Sequence, residues 1–74
     1  MPTDQPAYPH VRALARGLSV LRELNQIGLA SPAQLAKATG LDRTTTYRLL
    51  ATLEEEGYVS RNPLNDLYFV LDEV

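Results

Sequence analysis

The run RTTTYR, Arg43 to Arg48, gathers hydrogen-bonding side chains with no acid among them. Arg43 and Arg48 each offer a planar fork of N–H donors, suited to phosphate oxygens or to the O6/N7 edge of guanine. Thr44 and Thr45 add short hydroxyls, with methyls that suit a thymine methyl, and the Tyr47 hydroxyl can reach a sugar or phosphate. This is recognition chemistry. In a helix it also carries a cost, because each threonine gives up to about 0.7 kcal/mol against alanine. A helix opening on Thr44, Thr45 and Thr46 therefore needs their hydroxyls, or the shape they give its first turn.

Catalysis fails on inventory. The chain has no cysteine and a single histidine, His10, so neither a thiolate metal site nor a Ser–His–acid set can be assembled. No base sits beside the threonines to activate a hydroxyl, and no glycine-rich phosphate loop occurs. The expectation is a protein that is not an enzyme and needs no cofactor.

The elements that would position these residues are legible in order. Residues 1–10, with Pro2, Pro6 and Pro9, form a flexible lead-in. From Val11 the spacing of Leu14, Leu18 and Leu21, and of Val20, Leu24 and Ile27, predicts a helix that Gly28 ends. Gly17 inside it marks either close approach by another backbone or a tolerated glycine. Ser31, Pro32 and Gln34 then spell an N-cap, a proline at the first helical position and the partner of a capping box. This short helix buries Leu35 with Ala36 or Ala38 and stops at Gly40. Only Leu41 separates that glycine from Asp42, the N-cap of a further helix running from Arg43 to about Glu56. Two short helices across a tight glycine turn make a helix-turn-helix.

On the wheel of this last helix, Thr46, Leu49, Leu50 and Leu53 form the buried face. Thr46 is thus structural, its methyl in the core and its hydroxyl bonded to a carbonyl one turn earlier. Thr44, Tyr47, Arg48, Ala51 and Glu55 lie opposite, with Arg43 and Thr45 on the flanks. After Gly57 the period becomes alternating, and YVSRN and LYFVL read as strands around the turn PLND. Either Val59, Tyr68 and Val70 face the helices, or the register is reversed and Leu67, Phe69 and Leu71 do. The fold class is mainly α with a small β-hairpin: a winged helix-turn-helix of three helices plus a two-stranded wing, over residues 11–71.

Length and charge bound the partners. Seventy-four residues make one small domain, 45% hydrophobic and 22% charged. No apolar run is long enough to span a membrane, and MPTDQPAYPH lacks a signal peptide's basic start, so the expectation is a cytoplasmic chain with no membrane partner. The net charge of −2 weighs against nucleic acid, but it is unevenly placed. Residues 1–53 hold six basic groups against three acids, and residues 54–74 hold Arg61 against six acids. A phosphate backbone responds to the basic part.

The run ARGLSVLRELNQ…SPAQLAKATGLDRTTTYRLLATLEEEGYVSRNPLNDLYFV resembles the N-terminal domain of the IclR family of bacterial transcriptional regulators. The shared elements are RGLSVL in the first helix, LAKATGL into the turn, and TTTYRLLATLEEEGYV with a later aromatic-centred strand. The likeness is to members that activate genes for degrading aromatic acids. It implies a winged helix-turn-helix that binds double-stranded operator DNA as a homo-oligomer, dimer or tetramer. It also implies a larger C-terminal domain for a small-molecule effector, absent from these residues, with 72–74 as the start of the linker to it.

In such a module the second helix of the pair enters the major groove with its N-terminal residues toward base edges. The expected DNA-binding residues are therefore Arg43, Thr44, Thr45, Tyr47 and Arg48. Ser31, at a helix N-terminus suited to phosphate, joins them or serves only as a cap. Arg61 and Asn62, with Asn65 across the turn, form the wing tip and reach backbone or minor groove. Arg12 and Arg16 either touch flanking phosphates or form a solvated face. Glu54, Glu55 and Glu56 should be a solvated edge pointing away from DNA. The competing reading is a winged-helix protein–protein assembly module that does not bind DNA, which requires a contiguous apolar patch on the exposed face of the third helix.

Overall fold

The computed structural model describes residues 8–71. Of the lead-in expected over 1–10 it describes Tyr8 to His10, all exposed; the linker start expected at 72–74 lies outside the described residues. The elements are α1 (Arg12–Ile27), α2 (Pro32–Thr39), α3 (Arg43–Glu55), β1 (Val59–Arg61) and β2 (Tyr68–Val70). Three helices pack on one another, and the antiparallel β1–β2 hairpin closes one side of them. Among the described residues no helix is long and apolar enough to cross a membrane.

Local chemistry sets each boundary. α1 ends at Gly28, whose φ of +95° few other residues would adopt. At the start of α2, the Gln34 amide donates to Ser31 Oγ at 3.2 Å, and the Ser31 amide donates to Gln34 Oε1 at 2.9 Å, closing the capping box. Gly40 ends α2 in the left-handed region, and the Gly40 and Leu41 amides both donate to the Ala36 carbonyl. That double bond folds the chain back within one residue of Asp42, which caps α3. α3 stops at Glu55, one residue before the expected Glu56, because Glu56 is the C-cap ahead of the positive-φ Gly57.

The core is Val20 and Leu24 from α1, Ala30, Leu35 from α2, Leu50 from α3, Val59 and Tyr68. Burying a leucine or valine of this kind stabilises the fold by about 1.5–3 kcal/mol. Ala36 rather than Ala38 completes the inner face of α2. Thr46 is fully buried, and Leu49 and Leu53 are packed at the margin, as the wheel predicts. Leu14 and Leu18, part of the apolar spacing of α1, are instead 61% and 47% exposed, and Ile27 is exposed too. The helix is therefore apolar on a wider arc than this domain covers. Gly17 admits no backbone contact: a Cβ built there would meet only Leu49 Cδ2, at an ordinary 3.8 Å. Of the two readings, the tolerated glycine holds.

The hairpin register pairs Val59 with Val70, Ser60 with Phe69 and Arg61 with Tyr68. Val59 and Tyr68 are buried and Val70 packs against the core, so the first of the two registers is realised. A third backbone segment selects it. The Tyr68 amide donates to the Ala30 carbonyl at 2.8 Å, and the Ala30 amide returns a bond to Tyr68 at 3.2 Å. The α1–α2 connection thus adds one rung to the wing and ties it to the helices.

Candidate nucleic-acid interface

The three threonines at the head of α3 divide three tasks. Thr46 Oγ1 donates to the Asp42 carbonyl at 2.9 Å and is buried, so it belongs to the core. Thr45 Oγ1 donates to Asp42 Oδ1 at 2.6 Å, while the Thr45 amide donates to Asp42 Oδ2 at 3.1 Å. Both oxygens of the capping carboxylate are thereby held, and these bonds keep the Asp42 carboxyl below the usual carboxylate range. Thr44 is exposed on the outer face. The intrinsic helical cost of the run is offset by a cap, a core contact and one outward hydroxyl.

Arg43, Thr44, Tyr47 and Arg48 come together on the exposed face of α3 toward its N-terminus, with Tyr47 half exposed. Ala51 continues this face, so the backbone can approach a groove wall without a bulky side chain intervening. The exposed large hydrophobic residues of the helical layer are Val11, Leu14, Leu18, Ile27 and Leu29, in or beside α1, and Tyr47 alone on α3, so among the described residues no contiguous apolar patch covers the exposed face of α3.

The remaining candidates are held by local bonds. Ser31 Oγ is engaged in its capping box at the half-buried start of α2. Asn62 Oδ1 accepts from the Leu64 amide at 2.9 Å, Asn65 Oδ1 accepts from the Leu67 amide at 3.0 Å, and together they shape the wing turn. That turn places Asp66 at a φ of +58°, an uncommon conformation for a residue with a side chain. Arg61 Nη1 then lies 2.6 Å from Asp66 Oδ1, an exposed ion pair that holds the guanidinium's pKa above its usual value. Arg61 is at the wing, but it is not a free cation.

Two polar clefts border α3, besides an apolar one where Leu14 and Leu18 of α1 meet Leu49 and Leu53. On one side Ala13 and Arg16 of α1 face Thr45, Arg48, Leu49 and Thr52 across about 300 Å³. On the other, Pro32, Tyr47, Glu54, Arg61, Asp66 and Tyr68 enclose about 320 Å³ between α3 and the wing. Burial raises the Tyr68 hydroxyl pKa, so this phenol stays neutral. Glu54, expected on an edge pointing away, lines this second cleft. Arg16, which the sequence leaves between a flanking-phosphate contact and a solvated face, lines the first cleft beside Arg48. The available signal was its spacing, one turn ahead of Val20 and two ahead of Leu24, the buried residues of α1.

Known proteins share this fold. The model of the IclR helix-turn-helix domain matches residues 13–63. The chain is 38% identical over 55 residues to the transcriptional repressor IclR of Escherichia coli K12, covering 73% of this chain and 20% of that protein. It is 36% identical over 58 residues to the acetate operon repressor of Salmonella typhimurium, covering 77% of this chain and 21% of that one. An IclR-family transcriptional regulator from Brucella abortus superposes with a TM-score of 0.78 at 39% identity, over 82% of this chain and 24% of that chain. The chain thus spans about a fifth of the length of the curated relatives it matches. With its capped α2, glycine turn, outward-facing α3 and hairpin wing, it belongs to the IclR helix-turn-helix domain family.

Proposed function

We propose that this domain binds operator DNA sequence-specifically, with the N-terminal half of α3 in the major groove and the hairpin wing alongside. The carrying observation is the exposed face of α3, where Arg43, Thr44, Tyr47 and Arg48 converge with no acid among them. Arg43 and Arg48 supply forked donors for guanine, and Thr44 a hydroxyl short enough for close approach. Tyr47 reaches a sugar or phosphate through its hydroxyl, and the helix-opening bonds of Thr45 fix the entry of α3. Ser31 and Asn62 act through the shapes they impose, while Arg61 reaches backbone only on leaving Asp66.

The module works as half of a symmetric pair in the cytoplasm. Leu14 and Leu18, exposed on α1, supply apolar surface for a second copy or for the rest of a longer protein. Residues 11–71 are the DNA-binding unit, 72–74 open the linker, and a small-molecule effector acts on a C-terminal domain. The reading as an activator of aromatic-acid degradation predicts an operator beside genes of that kind, and a genome-wide binding map that finds it elsewhere removes that subtype.

The test is an amide chemical-shift titration of the chain with short duplex DNA at low salt. Shifts concentrated at Ser31–Gln34, Arg43–Arg48 and Arg61–Asp66 are expected. An absence of shifts, or shifts confined to α1, would leave an assembly module and remove the DNA reading.

A further inference from the structure

The cleft between α1 and α3 has a chemistry that base reading does not use. Arg16 and Arg48 line it together, beside Thr45 and Thr52, whose hydroxyls already donate to Asp42 Oδ1 and to the Arg48 carbonyl. Among the described residues neither arginine makes an ion pair or donates a side-chain hydrogen bond. Both guanidiniums have every N–H available, and an anion that enters the cleft gains charge-assisted bonds from them. The Asp42 carboxylate feels the charge of Arg16, so the arginine stands near the head of α3, but both of Asp42's oxygens are already bound by Thr45.

The dimensions of a protein–DNA groove say which anion arrives there. A helix with its side chains is about 10–12 Å across, and the major groove is about 12 Å wide. A helix that fills the groove meets a phosphate backbone on each flank. Arg16 sits on such a flank, set back from the exposed tip of α3 on a neighbouring helix. From there it faces backbone rather than base edges.

We infer that the α1–α3 cleft seats a backbone phosphate of the bound duplex, with Arg16 as its principal donor and Arg48 beside it. The inference rests on the reading that α3 occupies the major groove. Its consequence is specific: Arg16 contributes affinity and helix register but carries no base preference. It is a positioning residue, supplied by a helix outside the helix-turn-helix pair.

The experiment is a fluorescence-anisotropy titration of the chain against a short mixed-sequence duplex across a series of salt concentrations, repeated with Arg16→Ala and Arg16→Lys. A mixed sequence suffices because a phosphate contact is independent of sequence. Wild type should bind with a negative slope of log affinity against log salt. Arg16→Ala should weaken binding roughly tenfold, the loss of one charge-assisted bond, and make the slope shallower by about 0.9. Arg16→Lys should restore the slope while recovering only part of the affinity, because a single ammonium cannot fork. Equal melting temperatures exclude a folding effect, and Arg16→Gln replaces any alanine variant that melts early.

Wild-type binding with an unchanged slope and affinity in Arg16→Ala overturns the phosphate seat and leaves the DNA reading intact. No wild-type binding at the lowest salt removes the DNA reading and the seat with it. A loss of discrimination among individual duplex sequences in Arg16→Ala also overturns the seat, since Arg16 would then be reading bases.

Discussion

On its α1 side, α3 is bordered by Arg16 and Arg48, neither of them ion-paired among the described residues. On its wing side it is bordered by Arg61, held 2.6 Å from Asp66, with Glu54 in the same cleft. The clefts are of nearly equal size, about 300 and 320 Å³, so they differ in charge rather than in room. A duplex laid along α3 would meet two cations with no ion-pair contact among the described residues on one flank, and a neutralised, locally acidic surface on the other. A chain of net charge −2 thus keeps one flank of α3 basic, because six of its nine acids lie from Glu54 onward. The difference between the flanks also makes docking directional, because the two strands of the groove would be held unequally.

Arg48 belongs to both the basic flank and the base-facing surface, so its loss should have the largest effect on binding. Arg48→Ala is expected to weaken operator binding by about 1–3 kcal/mol, roughly tenfold to a hundredfold, with relaxed preference at one base position. Binding to a panel of single-base operator variants measures both quantities. Unchanged selectivity alongside lost affinity would assign Arg48 wholly to the phosphate side.

Thr46→Ala separates folding from binding on the same helix. It removes a buried methyl and the 2.9 Å bond to the Asp42 carbonyl. A loss of about 1–2 kcal/mol is expected, which lowers the melting temperature by about 4–8 °C per kcal/mol in a domain of this size. Affinity for DNA at a temperature where the variant is folded should not change. A large affinity loss at an unchanged melting temperature would mean that the buried face of α3 has been misjudged.

Asp66→Asn tests the wing flank and should have a smaller effect. It releases Arg61 and removes one of the two acids of the wing cleft, leaving Glu54. Duplex affinity should rise several-fold, and the salt slope should steepen by about 0.9 if Arg61 then takes a phosphate. Unchanged binding would show that the wing stays clear of the backbone and that the asymmetry of the clefts has no counterpart in DNA contacts.

What was legible in the sequence follows the range of the interactions. The capping box at Ser31 and Gln34, the stop at Gly40 and the Asp42 cap involve residues within a few positions of one another. Their residue types alone specify them. Thr46 was legible because helical periodicity is also local. The wing register was not, since LYFVL is apolar at every position, and the choice falls to the Ala30–Tyr68 bridge across distant segments. The pairing of Arg61 with Asp66 was not legible either, because it depends on the positive φ of Asp66 in the turn. Arg16 was weighed and left out for a similar reason: the groups that define its cleft come from α3, well along the chain.

The smallest expected effect concerns how the basic flank is joined to the head of α3. The Asp42 carboxyl is held below the usual carboxylate range first by the Thr45 hydroxyl, then by the Thr45 amide, with the charge of Arg16 a lesser cause. Its native pKa is thus lower than in the unfolded chain. The stabilisation is present in full above the unfolded value, near 4 on the general scale, and is lost as pH falls through the native value. Thr45→Val keeps the shape and the amide bond but removes the leading cause. The variant should lose melting temperature at neutral pH and differ less from wild type in acid, because protonated Asp42 is a poorer acceptor in both. Thermal melts of the two proteins at pH 7 and pH 3 measure this difference. A gap that stays constant with pH would show that the Thr45 hydroxyl does not stabilise the charged cap. The proton-linked start of α3 would then rest on the backbone amide and on Arg16, which would make the basic flank part of the helix's stability as well as its docking.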